Sequence, residues 1–517
     1  MKKIQNLLIA GCLLLAGCSE TPEEAGGQTG AAPVKYVSLR LDAGADTRAE
    51  LDDALRVKFQ PGDMIDINGT AYEVFLLEDG TAAVPEVPEA DRYEAVFPSA
   101  CNFLQQTKEA ANFKLPLAQF HAGSGTFGRN AMPMYGEATG IDEEKGYVNI
   151  RLRNMCGVLK LTLKGSATIN SILVEDRSGA PVSGYATLGT DDAGNKILVP
   201  GETSSARSYH LVMNCGGAGE GVTLSENGTD FHIVMPAREY ASGLKIRITD
   251  RSHRAMTVDS PTPRTIKRNV VTETPAIEYA PDADLIFAEH FDACVWGGDY
   301  VGNTKGYSPT QTEDQRNSGS LAGTTADGSA GVEEAPYYVM ENAAGTADYT
   351  NSWNVAPPSA ANNVTADYMR NRNLYDWTYL YRCAEFQGCM RVGSPALGRG
   401  KIHTPKLTNI PADASGNVQI TFRICYVKGA NMTDSFQSWI DKGTYQEVYI
   451  DGEKMAFTPA TSAYIPNATI GTDGWTEVRL IASGVSKNTS FNFFEKNGTA
   501  APTSYYFIDD IEVRLLD

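Results

Sequence analysis

The stretch Tyr147-Val148-Asn149-Ile150-Arg151-Leu152-Arg153 alternates apolar and polar residues without a break. Successive side chains of a β-strand point to opposite faces, so a period of two predicts a strand with one face toward a core. The nearby stretch Val158-Leu159-Lys160-Leu161-Thr162-Leu163 repeats the alternation and ends at Gly165. The centre of the chain is therefore predicted to be β-structure.

The same alternation recurs on both sides of this centre, and helical periodicity is scarce. Asn68-Gly69 separates two of the alternating segments and suits a hairpin turn, which needs positive φ angles. The segments are Val37–Leu41, Ile65–Ile67, Tyr72–Phe75, Arg92–Phe97, Ile169–Val174, Phe231–Met235 and Leu244–Thr249. Short strands joined by turns predict an all-β fold made of β-sandwiches.

A domain boundary is predicted near residue 280, because Thr274–Asp282 contains two prolines and little to bury. All five tryptophans lie beyond it, and Gly302–Ala335 is rich in small polar residues and predicts long loops. Predicted strands then resume at Leu285–Phe291, Val418–Tyr426, Glu447–Ile450, Trp475–Ile481 and Tyr505–Leu515. We therefore expect a separate domain over residues 283–517.

Composition limits the classes of function. The 517 residues contain 44 Lys plus Arg and 63 Asp plus Glu, a net charge of −19. This charge argues against a nucleic-acid partner, which needs a basic surface, and against electrostatic docking on anionic lipid. An apolar share of 42% is ordinary for a globular protein, so the chain is expected to fold.

The N-terminus predicts export. Lys2 and Lys3 precede an apolar run from Leu7 to Ala16, which is shorter than the about 20 residues that cross a bilayer. The run ends in Leu15-Ala16-Gly17-Cys18, which resembles a lipobox; a plain signal peptide is the alternative. We expect a signal peptide over residues 1–17, an acylated Cys18 and a flexible tether over 18–33.

That anchor implies an outer-membrane lipoprotein exposed at the cell surface. Glu20, Glu23 and Glu24 resemble a surface-export signal, although a solvated linker explains them equally well. Seven cysteines remain after Cys18, without zinc-ligand spacing. A Cys383–Cys389 disulfide is one possibility, and buried free thiols are the other.

Residues 34–280 carry motifs in a fixed order. They are Thr47-Arg48-Ala49, Phe59–Ile65, Tyr93–Pro98, Met132–Met134, Asn154–Leu161, Ile233–Pro236 and Thr265–Asn269. In this order they resemble the fimbrillin family of cell-surface lipoproteins. The resemblance implies two tandem transthyretin-like β-sandwiches, over residues 34–153 and 154–280.

The resemblance also implies a route to assembly. In polymerising fimbrillins an arginine-specific protease cuts after the first strand, and a strand of the next subunit fills the groove. Arg48 stands where that cut would fall, although it is also consistent with an ordinary exposed arginine. A shaft subunit donates its own C-terminal segment, whereas residues 283–517 occupy that place here. A terminal or accessory subunit is therefore favoured over a shaft subunit.

Residues 283–517 resemble the jelly-roll sandwiches related in shape to carbohydrate-binding modules. The resemblance is carried by Ile286–Asp292, by Val392-Gly393 with Gly400–Leu407, and by Tyr506–Val513. Jelly rolls often hold a structural calcium ion between the first and last strands. By position alone, Glu289, Asp292 and Asp510 are its candidate ligands.

The search for catalytic motifs favours a protein that is not an enzyme. No nucleophile elbow, P-loop, dinucleotide fingerprint or zinc-protease motif is present in the sequence. A surface glycosidase would need two facing carboxylates, and Asp509, Asp510 and Glu512 come closest. The alternative for these residues is a closing strand whose acids point outward and whose Ile508 and Ile511 point inward.

An aromatic cluster supplies the candidate ligand site. Tryptophan and tyrosine rings stack on sugars, and arginine binds hydroxyl or carboxylate groups, although large aromatic residues also fill cores. The candidates are Trp296, Arg372, Tyr375, Trp377 and Tyr379. We therefore predict adhesion to a glycan or host glycoprotein by a fimbrial tip or accessory subunit; the alternative is a glycan-binding lipoprotein of a polysaccharide-uptake system.

Overall fold

The computed structural model confirms the all-β fold: its described residues form strands and contain no α-helix. It describes residues 35–42, 59–99, 112–115, 118–123, 125–142, 144–200, 207–215, 220–291, 337–340, 374, 377, 379–381, 383–386, 389–392, 401–414, 416–426, 436–440, 444–450, 453–455, 463–465, 476–495 and 506–516. Within these ranges, no helix has the length and apolarity needed to span a membrane.

The first sandwich has two facing sheets, with the strand orders β10-β1-β5-β4 and β11-β9-β6-β2-β3 among the described strands. The strands of this part of the chain are β1 (Tyr36–Asp42), β2 (Met64–Ile67), β3 (Thr70–Glu73), β4 (Phe75–Leu76), β5 (Ala82–Pro88), β6 (Arg92–Phe97), β7 (Asn112–Leu115), β8 (Ala118–Phe120), β9 (Met134–Thr139), β10 (Val148–Arg151) and β11 (Arg153–Asn154). The alternating stretch 147–153 therefore contributes to both sheets and changes sheet at the buried Leu152.

The motif residues of the first sandwich fill its core. Tyr93 is fully buried and its hydroxyl oxygen accepts a hydrogen bond from the Ala90 amide. The ring of Phe59 packs edge-on against Phe97, with centroids 5.1 Å apart. The buried carboxylate of Asp63 accepts a hydrogen bond from the Gln60 amide at 2.8 Å. The same carboxylate forms an ion pair with the guanidinium of Arg129. The residues of the motifs 59–65 and 93–98 are therefore needed for the packing of the first sandwich.

The second sandwich has facing sheets with the orders β19-β12-β24 and β22-β21-β13-β17-β8, and β14 to β16 form a further sheet beside them. Its strands are β12 (Cys156–Lys164), β13 (Thr168–Asp176), β14 (Ser183–Thr190), β15 (Lys196–Pro200), β16 (Arg207–Ser208), β17 (His210–Asn214), β18 (Val222–Thr223), β19 (Thr229–Pro236), β20 (Arg238–Tyr240), β21 (Leu244–Asp250), β22 (Ala255–Ser260), β23 (Arg264–Ile266), β24 (Val271–Glu273) and β25 (Ile277–Glu278). Cys156 and Cys215 are buried free thiols, as one of the two alternatives expected.

Strands from the sequence region of the first sandwich pair with strands that follow residue 154. Strand β7 pairs with β14, and β8 pairs in parallel with β17. The buried side-chain amide of Gln119 donates to the Val234 carbonyl at 2.7 Å and accepts from the Val234 amide at 2.9 Å. These contacts bridge positions 115 residues apart, so the two sandwiches are joined by more than the chain between them.

The third sandwich has a larger sheet, β27-β29-β30-β39-β32-β37-β34-β35 with β26 on β39, and a smaller sheet, β28-β31-β38-β33-β36. The strands are β26 (Leu285–Glu289), β27 (Tyr337–Met340), β28 (Tyr379–Tyr381), β29 (Cys383–Phe386), β30 (Cys389–Val392), β31 (Lys401–His403), β32 (Val418–Tyr426), β33 (Phe436–Ile440), β34 (Thr444–Ile450), β35 (Glu453–Met455), β36 (Ala463–Ile465), β37 (Thr476–Ser483), β38 (Phe491–Glu495) and β39 (Tyr506–Leu515). Its core lies between the two sheets.

The register of β29 and β30 bears on the Cys383–Cys389 disulfide. Cys383 lies opposite Val392, and Cys389 lies opposite Phe386. The two cysteines are therefore three residues apart along the hairpin, about 10 Å at a rise of about 3.4 Å per residue. A disulfide needs Cα atoms within about 7 Å, so this backbone register does not fit that bridge.

The second and third sandwiches meet at the tip of the β21–β22 hairpin. His253 at that tip is buried, its carbonyl accepts from the Ala288 amide at 2.6 Å, and its ring lies 5.4 Å from the ring of Phe287. The side-chain amide of Asn409 donates to the carbonyls of Ser252 and Ile286, at 2.6 and 2.8 Å. The junction is therefore packed and hydrogen-bonded.

Candidate functional site

The candidate assembly site is the position of β1 in the first sandwich. Strand β1 is an inner strand of its sheet: it pairs in parallel with β10 from Leu39↔Val148 to Asp42↔Arg151. On its other side it pairs antiparallel with β5, from Tyr36↔Pro88 to Leu41↔Ala82. Losing β1 would expose the backbone groups of two strands at once, which is the condition for strand addition.

One face of β1 enters the core. Leu39 is fully buried, Leu41 is 3% exposed, and Val37 packs against the same apolar cluster. These three residues are two apart, as the alternation predicted. Burying a leucine side chain contributes about 1.5–3 kcal/mol, so β1 is held by apolar burial as well as by the sheet.

The opposite face of β1 is polar and accessible. Tyr36 is 61% exposed, and the guanidinium of Arg40 lies 5.2 Å from the centre of the Tyr147 ring. The ammonium of Lys35 lies 4.0 Å from a carboxylate oxygen of Glu89, in a solvent-exposed pair. Surface pairs of this kind contribute about 0–1 kcal/mol, so the outer contacts add little to the retention of β1.

The predicted cleavage and lipidation sites lie outside the described residues. The described part of β1 ends at Asp42, and Arg48 follows six residues later in the sequence. Cys18 precedes the first described residue, Lys35. Cleavage at Arg48 and acylation of Cys18 therefore remain predictions.

The predicted calcium ligands have other partners. Nδ1 of His290 lies 2.6 Å from Oδ1 of Asp510, and a guanidinium nitrogen of Arg423 lies 3.3 Å from Oδ2 of Asp510. Burial alone would raise the pKa of Asp510, but the hydrogen bond from His290 and the nearby cations hold it well below its usual range. The carboxylate of Glu289 is buried and accepts from the Phe291 amide at 2.8 Å.

The carboxylates of Asp510 and Glu289 therefore already bind protein donors, and the calcium site remains a prediction. Asp292 lies outside the described residues. Among the residues that are described, no group of three or more His, Cys, Asp or Glu side chains could hold a metal ion. In the closing strand, Ile508 and Ile511 are buried as the structural alternative proposed, and Asp509 is buried with them.

The structure corrects the role predicted for Trp377. Its side chain is fully buried, and its ring lies 5.6 Å from Phe291 and 6.2 Å from Phe287, measured between centroids. A ring enclosed by the core has no face to offer a sugar, so Trp377 is a core residue. Trp296, Arg372 and Tyr375 lie outside the described residues, and Tyr379 lies in β28, on the smaller sheet.

Comparisons with known proteins give similarity to solved structures alone. No protein-family model matches the chain, and no curated protein matches it. A cell adhesion protein described as putative, from Bacteroides ovatus, is 12% identical, with a TM-score of 0.29, and the match covers 48% of this chain and 97% of that one. A fimbrial protein from Bacteroides ovatus is 13% identical over 56% and 63% of the two chains, with a TM-score of 0.22. A xylan-binding domain from Paenibacillus barcinonensis is 13% identical over 28% and 87%, with a TM-score of 0.18.

Proposed function

We propose that this chain is a lipid-anchored adhesion protein of the cell surface that joins a fimbria as a tip or accessory subunit. The observation that carries the proposal is the place of β1, an inner strand next to the predicted cleavage site. Cleavage after Arg48 would detach β1 from the rest of the chain. The groove between β10 and β5 would then accept a strand of another subunit.

The strands and apolar residues that border the groove determine which sequence an incoming strand would need. It would pair with β10 and β5 on its two sides, and it would place apolar residues at alternate positions where Leu39 and Leu41 now lie. The chain would accept a strand at this site. Residues 283–517 stand where a shaft subunit would have its donor segment, so the chain ends the row of subunits.

The acylated Cys18 would provide the attachment to the outer membrane. A single acyl chain binds membranes weakly, whereas several chains on one residue hold a protein firmly, at about 0.8 kcal/mol per buried methylene. The tether of residues 18–33 would separate the first sandwich from the lipid surface. Binding without catalysis is the role proposed for the third sandwich.

The test is digestion of the purified full chain with an arginine-specific protease. Because the chain would accept a strand but offers no donor segment, the cut chain is mixed with a labelled peptide that has the β1 sequence, Tyr36–Asp42. We expect one early cut after Arg48, followed by uptake of the peptide, detected as label that co-elutes with the chain in size-exclusion chromatography. The Arg48→Lys variant keeps the charge but removes the cleavage site, and it should stay uncut and take up no peptide. A cut at Arg48 that leaves β1 in place and the peptide unbound would contradict strand exchange.

A second candidate is a glycan-binding lipoprotein of a polysaccharide-uptake system, which never joins a fimbria. The candidates that support it are Tyr379, which lies in β28, and Trp296, Arg372 and Tyr375, which lie outside the described residues. A chain that binds soluble polysaccharide while resisting cleavage at Arg48 would support this second function.

A further inference from the structure

A short segment, residues 118–121, forms a latch between the two sheets of the second sandwich. Its strand β8 pairs in parallel with β17, and the His121 amide extends this pairing by donating to the Asn214 carbonyl at 2.8 Å. On the other side, the buried Gln119 side chain bonds to both backbone groups of Val234 in β19. Because β19 is the outermost described strand of its sheet, this side chain takes the place of a neighbouring strand.

The latch lies where two cores meet. Val234 packs in the apolar cluster of the first sandwich, and Phe231, on the opposite face of β19, packs in that of the second. The ring of His121 lies 5.0 Å from the ring of Phe231, measured between centroids. Opening of the latch would therefore expose apolar surface as well as the outer edge of β19.

Two histidines at the latch each have a buried ring nitrogen without a partner. His232 in β19 is 4% exposed, and neither its Nδ1 nor Nδ1 of His121 makes a hydrogen bond to a described residue. The neighbours Phe231 and Asn214 of His121 are uncharged. Burying a charge is costly unless it is paired, so a protonated ring is disfavoured here.

The charges around His232 do not remove this cost. Asp230 and Glu273 favour a charged His232. Lys160 and His121 oppose it, and the Lys160 ammonium, directly opposite His232 in β12, already lies 3.1 and 3.4 Å from the two carboxylates. Burial is the largest effect: it lowers the pKa of His232, and it also lowers the pKa of His121.

We infer that protonation of His121 and His232 opens the latch, so that residues 118–121 leave β17 and β19 in mildly acidic surroundings. In the open form the imidazoles are hydrated, and their pKa returns to about 6.5. The open form then binds protons more readily than the closed one, so the closed form is favoured above about pH 6.5 and loses this advantage as the pH falls below it. This opening is separate from β1 and does not require cleavage at Arg48.

Amide hydrogen exchange of the purified full chain tests the latch, at pH 7.5 and at pH 5.5, with exchange times scaled to the intrinsic rate at each pH. We expect the protection of residues 118–121 and 231–234 to fall several-fold at pH 5.5, while β32 of the third sandwich keeps its protection. The double variant His121→Gln, His232→Gln has no titrating ring at the latch and should show the same protection at both pH values.

Two single variants separate the sensor from the bonds that it releases. His210→Gln removes an imidazole that pairs with Glu175 in β13, and it should open on acidification like the wild type. Gln119→Ala removes both bonds to Val234 and should lower the protection of residues 231–234 at both pH values.

Unchanged protection of the wild-type latch at pH 5.5 overturns the inference. So does a rise, which would mean that a charged ring gains a partner such as the buried side-chain oxygen of Asn214. The inference also fails if the double variant opens like the wild type, or if β32 opens to the same extent. A measurement without variants is the titration of the Cε1 chemical shifts in ¹³C-histidine-labelled wild type: both rings must titrate below the ordinary pKa of about 6.5, and a higher midpoint for either ring contradicts its role.

Discussion

At the scale of single residues, Gly157 allows the backbone of β12 to approach the backbone of Lys267 closely. A Cβ atom at this position would collide with the carbonyl oxygen of Lys267, a backbone atom that cannot rotate away. The Asn269 amide also donates to the Cys156 carbonyl at 2.9 Å, and a guanidinium nitrogen of Arg268 donates to the Asn154 carbonyl at 3.0 Å. The motifs 154–161 and 265–269 therefore meet directly in space.

We expect Gly157→Ala to lower the free energy of unfolding by about 2–3 kcal/mol, in the range of overpacked core positions. Gly189→Ala is the matched control, because there the nearest atom is a methyl group of the exposed Val199 side chain, which can move. Urea unfolding of the two variants measures the difference. Equal stability of Gly157→Ala and the wild type would contradict the close approach.

The contacts of the Glu175 carboxylate predict that the stability of the fold depends on pH. Its carboxylate lies 2.6 Å from Nε2 of His210 and 3.2 Å from the ammonium of Lys245. Burial would raise the pKa of Glu175, but these partners lower it from 4.5 to about 2. A carboxyl with a depressed pKa in the folded state stabilises the fold above its unfolded pKa, and that stabilisation disappears as the pH falls.

We therefore expect the wild type to exceed Glu175→Gln in stability, by on the order of 2 kcal/mol, at pH 5 to 6. The advantage should shrink between pH 4.5 and pH 2. Thermal unfolding across this range measures it, with the exposed Glu73→Gln as a control that should follow the wild type. If the stability advantage of the wild type over Glu175→Gln grew as the pH fell, the expected direction of the pH dependence would be wrong.

Individual tryptophans show how far residue-scale prediction reaches. Clustering in sequence singled out Trp377, yet its side chain lies in the core, with its ring packed near Phe291. The strand partner of Trp439 is Asn492, more than fifty residues away, and such a pairing cannot be recognised in local sequence. Alternation of apolar residues predicts the face of a strand, whereas the neighbour across the strand depends on the tertiary fold.

At the scale of elements, β1 supplies a test that needs no protease. We expect Leu39→Ala to lower the free energy of unfolding by about 2–5 kcal/mol, since it leaves a cavity in the core of the first sandwich. Arg40→Ala, on the outer face of the same strand, should change it by less than about 1 kcal/mol. Denaturant titrations compare the two, and similar losses would mean that β1 is not anchored through its inner face.

Some strands of the fold could be predicted from the sequence, and others could not. The alternating segments 37–41 and 92–97 fall within β1 and β6, because a half-buried strand needs that pattern. The short strands β7 and β8 were not predicted. They belong in sequence to the region of the first sandwich, but they pair with β14 and β17. Segments of three or four residues carry too little periodicity to be recognised, and their partners are distant in sequence.

At the scale of the whole molecule, the contact between the second and third sandwiches decides how the third sandwich is oriented. The Asn409 side chain donates to one carbonyl on each side of the contact, those of Ser252 and Ile286. Beside it, Ala255 of the second sandwich clusters with Leu285 and Ala288 of the third. A contact with direct hydrogen bonds and a small apolar patch favours a fixed orientation over free rotation.

Asn409→Ala would leave these two carbonyls without their donor. Water can replace it at the exposed Ser252 carbonyl, so the main loss falls on the partly buried bond to Ile286, at about 1 kcal/mol. We expect the variant to loosen the junction while the sandwiches stay folded: amide hydrogen exchange should rise in residues 251–256 and 285–289, and the core strands β12 and β32 should keep their protection. Asn417→Ala, elsewhere in the third sandwich, is the control. Exchange that rose equally in β12 and β32 would mean that Asn409 stabilises the fold generally. A change confined to the two junction segments would mean that this side chain fixes the orientation of the third sandwich against the second.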